Sequence, residues 1–228
     1  MFDDLLQLPM TWLTVTLGAY LLGLKLYQQL NNASWFPPVL SGFILVTLAL
    51  WLTNTPYAVY KQGGQLLSFF LAPVVVGLAI PLFYHFHNMR KQFIRIFIAI
   101  IVGSFTTVIV AILLTHYWIG IDTITTTMAS KSVTTPVAVA IAEQTSGIPA
   151  LAAAFVMVTG IIGAAIIPSL LKLTQLDSPQ TTGMALGICA HAIGTSRALE
   201  LGQEYSAYSA MAMTLTAALH AIVLPWLF

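Results

Sequence analysis

Charge is what this chain has least of. Only 7% of its 228 residues are Asp, Glu, Lys or Arg, against 58% apolar residues, and the mean hydropathy is +0.90. A soluble domain carries roughly a quarter of its residues as charges, so that class is excluded and a polytopic membrane protein is indicated. The net charge of +1 offers no basic surface, which excludes nucleic acid as a partner. The lone cysteine, Cys189, has no internal partner for a disulfide and sits in an apolar run, where it reads as a small buried side chain. Catalytic patterns are missing too. There is no Ser-His-Asp spacing, no phosphate loop and no pair of carboxylates, so neither an enzyme nor a cofactor is expected. His85 and His87 stand two apart without cysteines or carboxylates nearby, a weak metal site, and His116 and His220 are isolated. A positive leader is absent as well: Asp3 and Asp4 stand where it would be, so no cleavable signal peptide is expected and the first apolar segment stays as a helix.

What the chain does have is apolar segments of membrane length. They run over residues 9–29, 37–53, 65–86, 93–115, 148–173 and 207–228. Pro37 and Pro38 suit the first turn of the second segment, and Trp35 suits an interfacial anchor ahead of it. Residues 54–64, with Lys61 and two adjacent glycines, read as a polar connection, and Pro73, Gly77 and Pro81 as kinks in the third segment. The basic cluster from His85 to Lys91, followed by Arg95, belongs in the cytoplasm by the positive-inside tendency. That places the amino terminus and Asp122 outside. Gly160 and Gly163 with Ala164 and Ala165 form a small-residue packing face. No segment outside the apolar runs is long enough for a soluble module, so residues 1–228 read as one membrane domain, with a helical scaffold over 1–120 and a repeat-containing substrate region over 121–228.

The polar interruptions lie in that second part. Ser130 to Ala142 reads S-K-S-V-T-T-P-V-A-V-A-I-A, and sixty positions on Ala190 to Gly202 reads A-H-A-I-G-T-S-R-A-L-E-L-G. The offset pairs Thr135 with Thr195, Lys131 with His191 and Ala138 with Ala198, a degenerate internal duplication. Pro136 lacks an amide hydrogen and disfavours helix at Thr135, so it suits the start of a new helix. In the second copy Gly194 loosens the backbone and Thr195 or Ser196 can cap the helix that carries Arg197 and Glu200. Helices that begin at membrane depth aim free amides and partial positive charge at one place, which suits an anion.

The candidate substrate-binding residues are therefore Lys131, Ser132, Thr134, Thr135 and Pro136 in the first copy and His191, Gly194, Thr195, Ser196 and Arg197 in the second. Lys131 and Arg197 are the counter-charges for a carboxylate, unless Lys131 snorkels to water and Arg197 pairs with Glu200 or Glu204. The threonines bind substrate or cap helix ends, and His191 donates to substrate, carries a proton or is a satisfied interior histidine. Glu143 and Glu200 are the candidate coupling or structural ion-pair carboxylates. Two threadings stay open. Residues 123–147 form either one broken span or a re-entrant hairpin of two half-helices, and the hairpin makes the repeat inverted. The fold expected is thus all-α, with about six full transmembrane helices and two discontinuous or re-entrant helix pairs.

The motif K-S-V-T-T-P-V-A at Lys131 to Ala138, G-I-P-A at Gly147 to Ala150 and H-A-I-G-T-S-R-A at His191 to Ala198 followed by Glu200 closely resemble the LrgB/CidB family of bacterial membrane proteins. The resemblance covers nearly the whole chain. It implies a multi-pass protein of the bacterial inner membrane, linked to murein hydrolase activity and cell lysis, that works with a smaller LrgA/CidA holin-like subunit. It extends to the LrgB-like part of a plastid glycolate/glycerate translocator and to bacterial pairs linked to pyruvate uptake. A transporter of small monocarboxylates, expected as a homo-oligomer, is one function it implies. An antiholin-like pore or pore regulator is the other.

Overall fold

Apolar runs satisfy their backbone groups in a bilayer only by closing hydrogen bonds within the segment, which for a single run means a helix. The computed structural model describes residues 6–30, 36, 38–77, 80, 83, 84, 87 and 90–228, and every regular element in them is helical. Asp3, Asp4, Trp35, Pro37, Pro81 and His85 lie outside the described residues. The chain forms two compact units, Met1–Gly77 and Leu78–Phe228.

In the first unit α1 (Pro9–Gln29) packs against both α2 (Pro38–Leu52) and α3 (Tyr57–Gly77). Glycine sets these contacts. A Cβ at Gly23 would lie 2.9 Å from the Pro38 carbonyl oxygen, and one at Gly63 would lie 2.4 Å from that of Pro9. Trp12, 1% exposed, fills the α1–α3 contact and meets the edge of Tyr60 with ring centroids 6.0 Å apart. The sequence reading of 54–64 as a connection is corrected here. Helix α3 already begins at Tyr57 and Lys61 lies within it, because Gly63 serves close helix approach and not a turn.

The second unit contains α4 (Phe93–Trp118), α5 (Asp122–Ala129), α6 (Thr135–Gln144), α7 (Pro149–Leu173), α8 (Pro179–Leu201) and α9 (Gln203–Leu227). Among the described residues α4, α7 and α9 are long and apolar enough to cross a membrane, and α2 is a shorter apolar helix. Helix α4, assigned to the scaffold from the sequence, packs against α5, α8 and α9.

The chain reverses twice within this unit. After α5, a turn in which the Lys131 amide donates to the Met128 carbonyl leads to Thr134, whose extended backbone starts α6 with Pro136 in its first turn. The amide of Ile148, beyond the end of α6, donates to Thr127 Oγ1 at 2.9 Å. Two helices laid end to end would hold these groups apart by more than the ~15 Å length of α6, so α6 runs back toward α5. In α8 the Ser178 hydroxyl accepts from the Thr181 amide at the start and His191 breaks the helix with φ 41° and ψ −130°. A Cβ at Gly194 would then meet the Leu186 carbonyl oxygen at 2.3 Å. In a straight helix residues eight apart are separated by about 12 Å. Residues 192–201 therefore fold back on 179–190, and α9 follows the first limb in the same direction, Gly183 meeting Tyr205 and Gly187 meeting Ser209. The break thus falls at His191 and not at Gly194, which is instead the point where the two limbs touch.

Thr195 Oγ1 lies 2.9 Å from Ser209 Oγ, beside the Ser209 carbonyl that approaches Gly187. A Thr195→Cys/Ser209→Cys double variant on a Cys189→Ser background is expected to form its disulfide readily under mild oxidation, read by mass spectrometry of the linked peptides. A chain with a straight α8 would leave both thiols free.

Candidate functional site

The two reversals meet at the middle of α7. Gly160 is the twelfth residue of that 25-residue helix, and a Cβ there would lie 2.7 Å from His191 Cε1. The glycine leaves room for the imidazole. The next small residue on this face, Gly163, meets Ala190 in the same way, so the stripe predicted for packing receives the tip of α8. The Val156 carbonyl, 3.0 Å from His191 Nε2, only accepts, which puts the ring proton on Nε2 and leaves Nδ1 as an unprotonated lone pair. Among the described residues no group pairs with that Nδ1, although His191 is 2% exposed.

Val156 also shares an apolar cluster with Ala129, Val133 and Ala138 around the first reversal, and with Leu224 of α9. Lys131 stands there, half-buried, with Nζ 3.4 Å from Ser132 Oγ, and its charge acts on Cys189, His191 and His220. Ser132 is buried and Thr134 and Thr135 are half-buried at the start of α6. Thr134 occupies the cap position, but its hydroxyl makes no cap bond. The remaining candidates take other places. Pro136, Ser196 and Glu143 are exposed, and Gly194 is buried where the limbs of α8 touch.

Thr195 does not cap a helix. Its hydroxyl lies 2.9 Å from the His191 carbonyl and 2.9 Å from Ser209 Oγ, bracing the reversal from inside. Arg197 is buried and forms an ion pair with Glu200 three residues on. It stands six positions past His191, about 9 Å along its limb, toward the base of the reversal. Lys131 and His191, the pair that the sixty-residue offset aligns, are the two that occupy the reversals themselves.

His220 is the residue that sequence reasoning missed. Far from isolated, it is 2% exposed, and its Nε2 lies 2.7 Å from Ser104 Oγ on α4, 116 positions away. Among the described residues its Nδ1 has no partner, nor has the buried hydroxyl of Thr216 one turn earlier on the same face. One sequence signal pointed to it. The offset that carries Lys131 to His191 carries Gly160 to His220, and where Gly160 meets His191, the helix of His220 meets the first reversal through Leu224 and Val133. Among the described residues no three His, Cys, Asp or Glu side chains gather as a metal site would require.

A profile of the LrgB-like family matches residues 16–228. The chain belongs to the LrgB-like family. It is 36% identical over 218 residues to the uncharacterized protein YxaC of Bacillus subtilis (strain 168), covering 94% of each chain, and 34% identical over 216 residues to YwbG of the same strain, covering 94% of this chain and 95% of the relative. The antiholin-like protein LrgB of Bacillus cereus (strain B4264) is 31% identical over 218 residues, covering 95% of this chain and 94% of its own. No solved structure matches.

In this LrgB-like chain the two cations singled out from the sequence separate by surroundings. Arg197 is held in an ion pair on its own limb, whereas Lys131 bonds to the neutral Ser132 hydroxyl. The Arg197 side chain is 7% exposed and that of Glu200 37%, so losing the guanidinium leaves a solvated carboxylate. It removes chiefly the bonds and packing of a buried side chain, at a cost below the about 3–5 kcal/mol of a fully buried pair. Arg197→Ala is therefore expected to lower the melting midpoint in detergent by several degrees, and Lys131→Ala to leave it unchanged or raise it. Equal losses in both variants would place the two cations in the same structural role.

Proposed function

We propose that this LrgB-like protein is a carrier of small monocarboxylates such as glycolate, glycerate or pyruvate, and that the lysis-related role attached to antiholin-like relatives follows from that transport. One observation supports the reading above the others: the reversal that carries Lys131 and the one that breaks at His191 both pack on Val156, near the middle of a helix long enough to cross the membrane. A cation at that depth is costly unless an anion meets it. Helix ends pointed inward supply amides and partial positive charge to the same place. The chemistry asked of the site is binding and release, which needs no catalytic group.

Charge counting favours a monoanion. Arg197 already holds Glu200, so a single carboxylate offsets Lys131, and a second would enter a low-dielectric site without a cation. The motion that exposes the site in turn to each side is taken to be a movement of the paired reversals, the arrangement found where inverted repeats alternate access. In this reading the repeat is inverted, the two reversals are re-entrant, and the protein sits in the bacterial inner membrane with its amino terminus outside.

The name of the Bacillus cereus relative favours a second reading, a pore or pore regulator working with an LrgA/CidA-type subunit. A lesion of that kind needs apolar helices that associate, and it gives the buried polar groups around Lys131 no role.

Proteoliposome uptake separates the two. The carrier takes up labelled glycolate or pyruvate saturably, Lys131→Ala lowers that uptake at least about tenfold, the effect of losing one charge-assisted contact of ~1.4 kcal/mol or more, and entrapped dye is retained. Dye release that ignores Lys131→Ala supports the pore. Uptake that appears only with an LrgA-like subunit co-reconstituted makes that subunit part of the carrier.

A further inference from the structure

Helix α9 turns one polar face toward the first reversal. Thr216, His220 and Leu224 stand at successive turns, all buried, and Leu224 shares the apolar cluster of Val133, two residues from Lys131. Thr216 Oγ1 and His220 Nδ1, one turn apart on this face, have no hydrogen-bond partner among the described residues. Side chains on a helix lean toward its amino terminus, so the imidazole of residue 220 projects over the turn that carries residue 216. Leaving a buried donor or acceptor unpaired costs about 1–3 kcal/mol, and here two are left on one face within the field of a lysine.

We infer that the ligand site extends from Lys131 onto α9, where Thr216 and His220 read a second oxygen of the ligand, on the carbon next to its carboxylate. This deepens the carrier reading and rests on it. The chemistry of the pair selects the group. A hydroxyl and one imidazole nitrogen together offer a donor and an acceptor but no charge, which suits an alcohol or a carbonyl and leaves the carboxylate to Lys131.

Ser104 makes the site tolerant of both. Its hydroxyl, 2.7 Å from His220 Nε2, can accept from a protonated Nε2 or donate to a bare one. In the first state Nδ1 accepts from a 2-hydroxyl group, and in the second Nδ1–H donates to a 2-oxo group. Ser104 is thus a positioning residue, and Thr216 and His220 set specificity.

The ionisable groups around His220 leave this neutral role open. Lys131 stands two residues from Val133, which packs with Leu224 one turn beyond His220, and α8 carries Cys189 and His191. The other ionisable groups of the packed helices, Arg95 and His116 on α4 and Glu143 on α6, lie near helix ends, while Arg197 is paired with Glu200.

Binding of glycolate and of acetate, which lacks the second oxygen, is measured by calorimetry on the purified full chain in detergent, alongside uptake of both in proteoliposomes. The wild-type protein is expected to prefer glycolate by about tenfold or more, the discrimination typical of a site built to bond a hydroxyl. Thr216→Val and His220→Ala bring that ratio toward one by weakening glycolate and leaving acetate unchanged, seen in uptake as a raised KM with kcat retained. Thr216→Val decides the matter, since it preserves shape and removes no bond the protein makes with itself. An unchanged ratio in that variant, with Lys131-dependent uptake intact, overturns this inference alone. A wild-type protein that binds neither acid overturns both it and the carrier reading.

Discussion

A helix that ends inside a bilayer leaves amides and carbonyls with no water to meet them, and each must find a partner or cost several kcal/mol. In the proposed carrier both reversals would meet that constraint, and both close their backbones with specific groups. At the first, turn bonds from Lys131 to Met128 and from Val133 to Ser130 close the backbone, and the Ser130 hydroxyl donates to the Thr127 carbonyl. At the second, the Thr195 hydroxyl meets the His191 carbonyl, and the His191 ring donates to the Val156 carbonyl of α7. The polar residues of these breaks are first of all closures. The Nδ1 edges of His191 and His220 are left over after closure among the described residues, and with Lys131 they are the groups that the proposed carrier would use.

Closure depends in turn on small residues. Lipid tails are as apolar as leucine, so helices in a membrane associate through close packing and interhelical bonds, which favours glycine, alanine and serine at the contact. In the second unit Gly183 and Gly187 bring α8 against α9, Gly194 brings the two limbs of α8 together, and Gly160 admits His191. Hydroxyls enter the same narrow contacts, as with Thr195 and Ser209. Tight approach and polar pairing therefore come as one feature. A larger side chain at Gly160 would displace the imidazole that shares hydrogen bonding with α7.

Class and first break were legible in the sequence because both are local. Hydropathy marks the long helices, and Pro136 dictates where α6 can begin. The second break was misplaced by a few residues because positive φ is ordinarily read as glycine, and Gly194 and the two hydroxyls after it drew the assignment. His191 takes φ 41° for a non-local reason: the Val156 carbonyl and the space at Gly160 hold its ring. His220 was read as isolated because its partner lies 116 positions away. Residues 57–64 were read as a connection because two adjacent glycines look like a turn until the approach of α1 is known. Helix start and stop signals thus carried what a few neighbours decide, and failed where a distant element supplied the missing bond.

On the proposed repeat, the sixty-residue sequence correspondence would account for two reversals alike in course and unlike in chemistry. His191 stands where the first copy has Lys131, and His220 stands where the first copy has Gly160. Two lysines facing each other beside α7 would repel in a medium where charges are weakly screened, at a cost no single ligand charge could offset. One lysine with two histidines avoids that repulsion, and Gly160 leaves the room that the His191 ring takes. In the proposed carrier, that asymmetry makes one positive centre, which one carboxylate would match.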